Sequence, residues 1–391
     1  MNILYLGAFC SSSIIEKYPD KGLDTYKTSE FLIKGFAAID DVKLDVITAP
    51  DVASYPRFPK CHFHRFIETD GTISVAFLNI VGLKQLFIVR NLFKEAKRII
   101  KHNDDKTFVI IPYMVYHHVR VAYLLKKQFG NRVIICQTIP DIFHYDSKFS
   151  PGFWMNRYAE KKAAKSDAFI LFTRQMADYL HIANDRHIVM ESVIDGEAYK
   201  GQNKEKINDN DKIHVLYTGS LSNEHGVMKL VEMMRLMSRD DFELWITGRG
   251  ALMDNLTKAA EEDNRIRFFG TVAKEEVFRL QSIADILINP RSDGDSPELT
   301  QYLFPSKVME YMLTGNPAMI CRMSGIPEEY YNYVYLVENS TPEGIAGCLN
   351  EVLNKSPEER FQKGQSARKF ILDNKTIFVQ TRRIVEFLKC F

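Results

Sequence analysis

The 391-residue sequence predicts two α/β domains in tandem, each a parallel sheet covered by helices. Three observations predict this class. Strand-like apolar runs alternate with helix-like stretches along the chain, the alternation breaks at one polar stretch near the middle, and it then resumes with strands that discharge into glycine- or proline-bearing turns.

In the first series the apolar runs lie at 3–6, 42–47, 108–111, 133–136 and 168–172. Short continuous runs of this kind suit strands buried on both faces. Between them, 28–39, 83–101, 119–129 and 158–165 carry mixed apolar and charged residues at helical spacing. The chain turns polar over 195–211, and 201–211 are almost devoid of apolar side chains. This places a first domain over 1–195, a linker over 196–211 and a second domain over 212–375. The second series has strand-like runs at 213–217, 242–247, 266–269, 286–289, 318–321 and 334–337, and 376–391 read as a last helix.

Length and a hydrophobic share of 46% suffice for two cores. A formal net charge of +1 gives no global attraction to nucleic acid, so a nucleic-acid partner is not expected. Six cysteines (10, 61, 136, 321, 348, 390) lack C-x-x-C spacing and clustering, which reads as reduced thiols in cytosol and argues against a zinc site. The first residues, Met1-Asn2-Ile3-Leu4-Tyr5-Leu6-Gly7, lack a basic region and a long apolar one, so they read as a strand rather than a signal peptide. No segment approaches the roughly 20 apolar residues that span a bilayer.

The stretch 304–317, Phe-Pro-Ser-Lys-Val-Met-Glu-Tyr-Met-Leu-Thr-Gly-Asn-Pro, is the most informative. Pro305 suits a first helical turn and Gly315 a left-handed helix end, so the helix spans about three turns. It follows the apolar run at 286–289, and a loop from a strand's carboxyl end to a helix amino terminus is where open α/β sheets bind ligands. Unpaired amide N–H groups and the helix dipole favour a phosphate there, Ser306 and Lys307 add donors, and Glu310, one turn on, offers a carboxylate to a ribose diol. An amphipathic helix with Val308, Met309, Met312 and Leu313 buried and Glu310 solvated is the alternative.

This motif resembles the core of family 4 glycosyltransferases of the GT-B fold, in particular the bacterial surface-polysaccharide branch with its FPSK-x-x-EY-x-x-x-G-x-P pattern. The resemblance implies two Rossmann-like domains facing across a cleft, with the last helix (376–391) crossing back to the first domain. It implies that Glu310 binds the nucleotide ribose and that the start of its helix, with Pro305, faces the diphosphate. The family's E-x7-E pair is incomplete, since its first position is Tyr302 here and Glu298 falls too early.

Other turns fit the same resemblance. Val215 to Gly226 reads as a strand, a turn with Gly219 and then a helix, although no P-loop or G-x-G-x-x-G pattern is met. The family reads G-R-L-x-x-x-K-G there, with Arg and Lys clamping the diphosphate; Ser220 and His225 stand instead, leaving Arg291, Lys307 or Arg249 to supply charge. A plain β-α turn packed on Gly226 is the alternative. Gly248-Arg249-Gly250 matches the family's G-x-G turn, where glycines admit close backbone approach, and Gly270-Thr271-Val272 resembles its G-x-V segment beside the base. Gly7 and Gly22 resemble its opening glycine turn and acceptor loop. Asp141, in a Pro-Asp turn after the run at 133–136, falls where family members place a catalytic-cleft His or Asp; local turn chemistry explains it equally. His118 is a second candidate for that role, with a surface or core histidine as the alternative.

The resemblance thus implies a retaining, metal-independent glycosyltransferase with no cofactor, using a nucleotide-diphosphate sugar (UDP- or GDP-linked) and a glycan or lipid-linked acceptor in polysaccharide biosynthesis. An epimerase or hydrolase of nucleotide sugars on the same fold, or a degenerate binding or scaffold protein, are the alternatives. The expected location is cytoplasmic, or peripheral at the inner face of the membrane. Residues 83–101 interleave six basic residues with apolar ones, as a helix lying on an anionic membrane would; a sheet-covering helix with a solvated basic face is the other reading.

Overall fold

In the computed structural model, which describes residues 1–7, 27–142, 151–197 and 212–391, the chain divides into two units. One comprises Met1–Val193 with Ile377–Phe391, the other Ile194–Thr376. Gly22, Cys10 and most of the 196–211 linker lie outside the described residues.

The first unit holds β1 (Asn2–Gly7), β2 (Lys43–Thr48), β3 (His62–Phe63), β4 (Phe66–Ile67), β5 (Ile73–Ser74), β6 (Phe77–Leu78), β7 (Thr107–Pro112), β8 (Val133–Ile139), β9 (Ala168–Leu171) and β10 (His187–Val189). Eight of them form one sheet in the order β10-β9-β8-β7-β1-β2-β5-β4, parallel except for β4 against β5, while β3 and β6 make a separate antiparallel ribbon. Every residue of β7 and β8 is buried, which is why these strands read as near-continuous apolar runs. Its helices are α1 (Lys27–Ala37), α2 (Lys84–Lys101), α3 (Tyr116–Phe129), α4 (Pro151–Ala163) and α5 (Arg174–Tyr179). Ile88, Leu92, Ala96 and Ile100 of α2 and Val121, Ala122 and Leu125 of α3 bury one face of the sheet.

The second unit holds β11 (Ile213–Ser220), β12 (Phe242–Arg249), β13 (Ile266–Phe268), β14 (Ile286–Asn289), β15 (Ala318–Cys321) and β16 (Tyr335–Val337). Its helices are α6 (Val227–Leu236), α7 (Met253–Glu262), α8 (Lys274–Ile283), α9 (Pro297–Thr300), α10 (Ser306–Thr314), α11 (Glu328–Tyr331), α12 (Pro342–Leu353) and α13 (Pro357–Asn374). The sheet is parallel throughout in the order β13-β12-β11-β14-β15-β16, the Rossmann order. Alternate strand residues serve opposite faces. Val215, Leu244, Ile246, Ile286 and Ile288 pack with α6, α7 and α12, whereas Leu216, Trp245 and Leu287 pack with α8, α10 and α13.

The last helix, α14 (Ile377–Leu388), packs on α1 of the first unit. A Cβ on Gly35 would lie 2.5 Å from Thr381 Cγ2, so only glycine permits this spacing of the two helices. The Gln380 amide donates to the Met190 carbonyl at 2.9 Å and to Glu191 at 3.1 Å, anchoring the helix to the loop after β10.

Several boundaries differ from the sequence reading. The helix expected at 158–165 runs from Pro151 to Ala163, and Pro305 caps α10 in an extended conformation (ψ 105°) instead of opening its first turn. Two-residue strands between 62 and 78, and the short β10, are too brief to show a period of their own.

Candidate functional site

In the second unit the strand order reverses at β11, which has β12 on one side and β14, reached by a crossover, on the other. A crevice at the carboxyl ends of strands at such a switch point is the general ligand site of open α/β sheets. The sequence puts its unusual turns there. Gly219 and Ser220 end β11 opposite Gly248 and Arg249 of β12. A Cβ on Gly248 would lie 1.7 Å from the Gly219 carbonyl oxygen, so the two turns close on each other only through glycine.

α10 begins beside this turn. Its N-cap is Pro305 and no side chain caps it, so the amides of its first turn, where Ser306 and Lys307 sit, are not taken up by a capping side chain. Lys307 crosses Gly219 closely, its Cε 2.5 Å from where a Cβ would stand. The helix is locked in place by Tyr311, fully buried. Its hydroxyl accepts the Thr218 N–H at 2.9 Å and donates to the Thr218 carbonyl at 3.2 Å, and Gln281 donates to Thr218 Oγ1 at 2.9 Å. Burial pushes the Tyr311 phenol far up, so it stays neutral. At the far end Gly315 caps the helix in the left-handed region (φ 77°). Glu310 is half-buried one turn into α10.

His225 completes the cluster. Its Nδ1 bonds Ser222 Oγ at 2.8 Å. Burial, and then the positive charge of Arg291, hold its pKa below the usual histidine value; Lys307 pushes the same way, while Glu224 and Asp295 oppose. Arg291 is buried just past the end of β14, and Tyr217, bonded through its hydroxyl to the Ser220 carbonyl at 2.8 Å, also feels its charge. His225 thus lies within electrostatic reach of Arg291 and Lys307, and Ser306 and Lys307 open α10 beside the Gly219–Ser220 turn, so positive charge gathers near a helix amino terminus, a place that suits an anion. Arg249 is exposed at the end of β12, and Val272 lies half-buried after Gly270, whose carbonyl accepts from Thr247 Oγ1 at 2.8 Å and from the Gly248 N–H at 2.9 Å.

One supporting pair is not visible in the sequence. Lys229 of α6 binds Asp295 at 2.7 Å and Ser292 Oγ at 3.0 Å, and Asp295 also closes a capping box with Ser292. This ties the start of α6 to the loop after β14, where Gly226 (φ 68°) approaches the Pro290 carbonyl. The partners are 66 residues apart, so no local pattern marks them.

In the first unit the switch point lies between β1 and β7. Gly7 ends β1, buried. His118 is wholly buried beside the Gly7 backbone, and burial pushes its pKa down to about 3; it is a neutral core histidine, edge-on to His117 at 4.2 Å. Of the two readings of His118, a group at the site or a core histidine, its complete burial favours the second. Asp141, by contrast, is exposed just beyond β8. Beside it stands Tyr113, which the sequence did not single out. Its backbone is left-handed (φ 58°), held by its N–H to the Thr138 carbonyl at 2.9 Å and by the Gln137 amide on its own carbonyl at 2.7 Å. Burial raises its phenol, which also bonds Thr28 and feels the Asp141 charge.

Residues 212–355 match the family model described as Glycosyl transferases group 1. No curated protein matches the chain in sequence. Among solved structures, a glycosyltransferase from Rickettsia africae is 16% identical, with 99% of this chain and 97% of that one covered at a TM-score of 0.65. Sucrose-phosphate synthase from Thermosynechococcus elongatus is 14% identical, with 100% and 98% covered at 0.62. An α,α-trehalose-phosphate synthase (UDP-forming) from Burkholderia vietnamiensis is 10% identical, with 100% and 97% covered at 0.62. At such identities the likeness speaks for the fold, which is GT-B.

Proposed function

We propose that this chain is a glycosyltransferase that takes its sugar from a nucleoside-diphosphate sugar. The observation that carries the reading is that Lys307, which starts α10 against Gly219, and Arg291 both act electrostatically on His225, at the switch point of a domain matching glycosyltransferases group 1. Breaking the bond from the anomeric carbon to the donor oxygen leaves charge on the diphosphate. Preorganised N–H groups and fixed cations stabilise that developing charge more than the ground state, and this difference lowers the barrier. Arg291, buried next to the turn, takes the place of the arginine that the related pattern carries at Ser220. Glu310 is assigned to the ribose hydroxyls, Val272 and the Gly248 turn to the base side.

Acceptor binding is assigned to the first unit, with Asp141 as the group that orients the acceptor hydroxyl and Gly7 as part of its floor. In keeping with the family that residues 304–317 resemble, the transfer is retaining and needs no metal, the acceptor is a glycan or lipid-linked saccharide of polysaccharide synthesis, and the site of action is the cytoplasm. UDP is the first nucleotide to try, since a structure of similar fold is described as UDP-forming. The test is turnover: the protein is incubated with UDP- and GDP-sugars, with and without oligosaccharide or lipid-linked acceptors, and products are resolved by mass spectrometry. A glycosylated acceptor supports transfer. Conversion of donor alone to free sugar or to an epimer would replace transfer by hydrolysis or epimerisation, and inertness with every pair would favour a binding role.

A further inference from the structure

Helix α2 and the turn that leads into it carry apolar residues on two sides. Ile88, Leu92, Ala96 and Ile100 are buried in the core, yet Val81 and Leu86 are 75% and 66% exposed, and Tyr55, Ile80 and Leu83 are exposed as well. These five are contiguous. Tyr55 bridges to Ile80 and its N–H donates to the Asn79 carbonyl at 2.8 Å. The chain then turns, with the Leu83 N–H on the Ile80 carbonyl at 3.1 Å and Gly82 left-handed (φ 82°) with open space around it, and Leu86 follows on the first turn of the helix. Single exposed apolar side chains are ordinary, but a protruding turn built from them marks an interaction surface.

Charge identifies the partner. Beyond this knuckle, Arg90, Lys94, Arg98 and Lys101 are exposed along the outer face of α2. The helix has one acidic residue, Glu95, already held by Arg65 at 2.8 Å and by Arg98 at 3.3 Å. Because the whole chain carries only +1, this stripe is a local concentration of positive charge.

We infer that this face docks the protein on an anionic lipid bilayer, with the Ile80–Leu86 knuckle entering the headgroup and acyl boundary and the basic stripe lying along the lipid phosphates. A polyanion such as nucleic acid would meet the stripe but leave the apolar turn uncovered. The contact is peripheral, and no described helix is long and apolar enough to cross a membrane. The inference concerns the first unit alone, so its failure would leave the donor assignment standing.

The test is flotation of the full chain with vesicles of phosphatidylcholine, and of equal parts phosphatidylcholine and phosphatidylglycerol. Binding is expected to the anionic vesicles only and to fall at high salt. Arg90→Gln with Lys94→Gln should weaken it about 30-fold, at about fivefold per charge. Val81→Ser with Leu86→Gln, which leaves the charge unchanged, should weaken it about tenfold or more. Both pairs alter exposed side chains, and an unchanged melting temperature shows that the variants are folded. Equal binding to neutral vesicles, no binding to either, capture by heparin but not by anionic vesicles, or insensitivity to the apolar pair would each overturn the inference.

Discussion

Replacing Gly219 by alanine should disable the proposed donor site through a side chain it does not carry. The new Cβ would lie 2.5 Å from Lys307 Cε and 3.0 Å from Tyr217 Oη. Carbon pairs settle at about 3.5–4.0 Å, so one neighbour has to retreat by about 1 Å. Tyr217 is fixed by its 2.8 Å bond to the Ser220 carbonyl, whereas Lys307 is flexible, so the lysine gives way and its ammonium swings off the helix amino terminus. A charge-assisted hydrogen bond to a diphosphate is worth about 1.5–3 kcal/mol, and its loss weakens the affinity about 10- to 150-fold. Alanine at φ +155° also carries strain of about 1–3 kcal/mol, read as a lower melting temperature. Calorimetric titration of UDP into wild type, Gly219→Ala, Lys307→Ala and the double variant checks this. The two effects on affinity should be strongly non-additive, whereas the stability lost to Gly219→Ala should persist in the double variant, because the strain lies in the backbone. Additive losses, or wild-type affinity in Gly219→Ala with weak binding in Lys307→Ala, would refute the reasoning.

Other consequences concern the same region. Tyr311→Phe strips the buried partner from the Thr218 N–H and should cost about 1–3 kcal/mol in urea unfolding; equal stability would show that the hydroxyl does not anchor α10. His225 has a lowered pKa when free, and a bound diphosphate would raise it, so binding takes up a proton. Its contribution to affinity is therefore full below the free-state pKa and lost as pH rises through the bound-state one. Terminal phosphates themselves ionise near pH ~6, so His225→Gln is the reference, and an identical pH profile in that variant would remove His225 from the site.

The long elements were legible because each has one dominant physical signature. β7 and β8 are buried along their whole length and α10 is bracketed by Pro305 and Gly315, so continuous runs and helix punctuation suffice. The strands between 62 and 78 were not, since two residues display no period, although Asp70-Gly71 is a turn signal, with Asp70 accepting the Thr72 N–H at 2.9 Å. The first turns of α4, from Pro151, hold no charged residue before Arg157, so mixed apolar and charged residues at helical spacing show only beyond it. Around the site, Gly219, Ser220, His225, Arg291 and Lys307 were each visible as turn or helix-start residues. Their neighbourhood depends on the crossover that sets β14 beside β11, which no local motif records. The Lys229–Asp295 tie and the left-handed Tyr113 depend on contacts across the sequence and on backbone geometry, neither of which composition records. For His118 the sequence leaves a site group and a core histidine open, and its buried position on α3 is set by packing that the local pattern does not show.

The central claim is that the amino-terminal half of α10 holds a nucleoside diphosphate, with Glu310 on its ribose. The most direct test is a thermal-shift titration of wild type and Glu310→Ala with UDP, GDP, ADP and CMP. Only a ligand that binds the folded state raises the melting temperature, by an amount set by its concentration over Kd. One nucleoside diphosphate should raise that of the wild type while CMP does not, and Glu310→Ala should melt like the wild type without ligand yet lose the shift. No shift with any nucleotide, or an undiminished shift in Glu310→Ala, would contradict the claim.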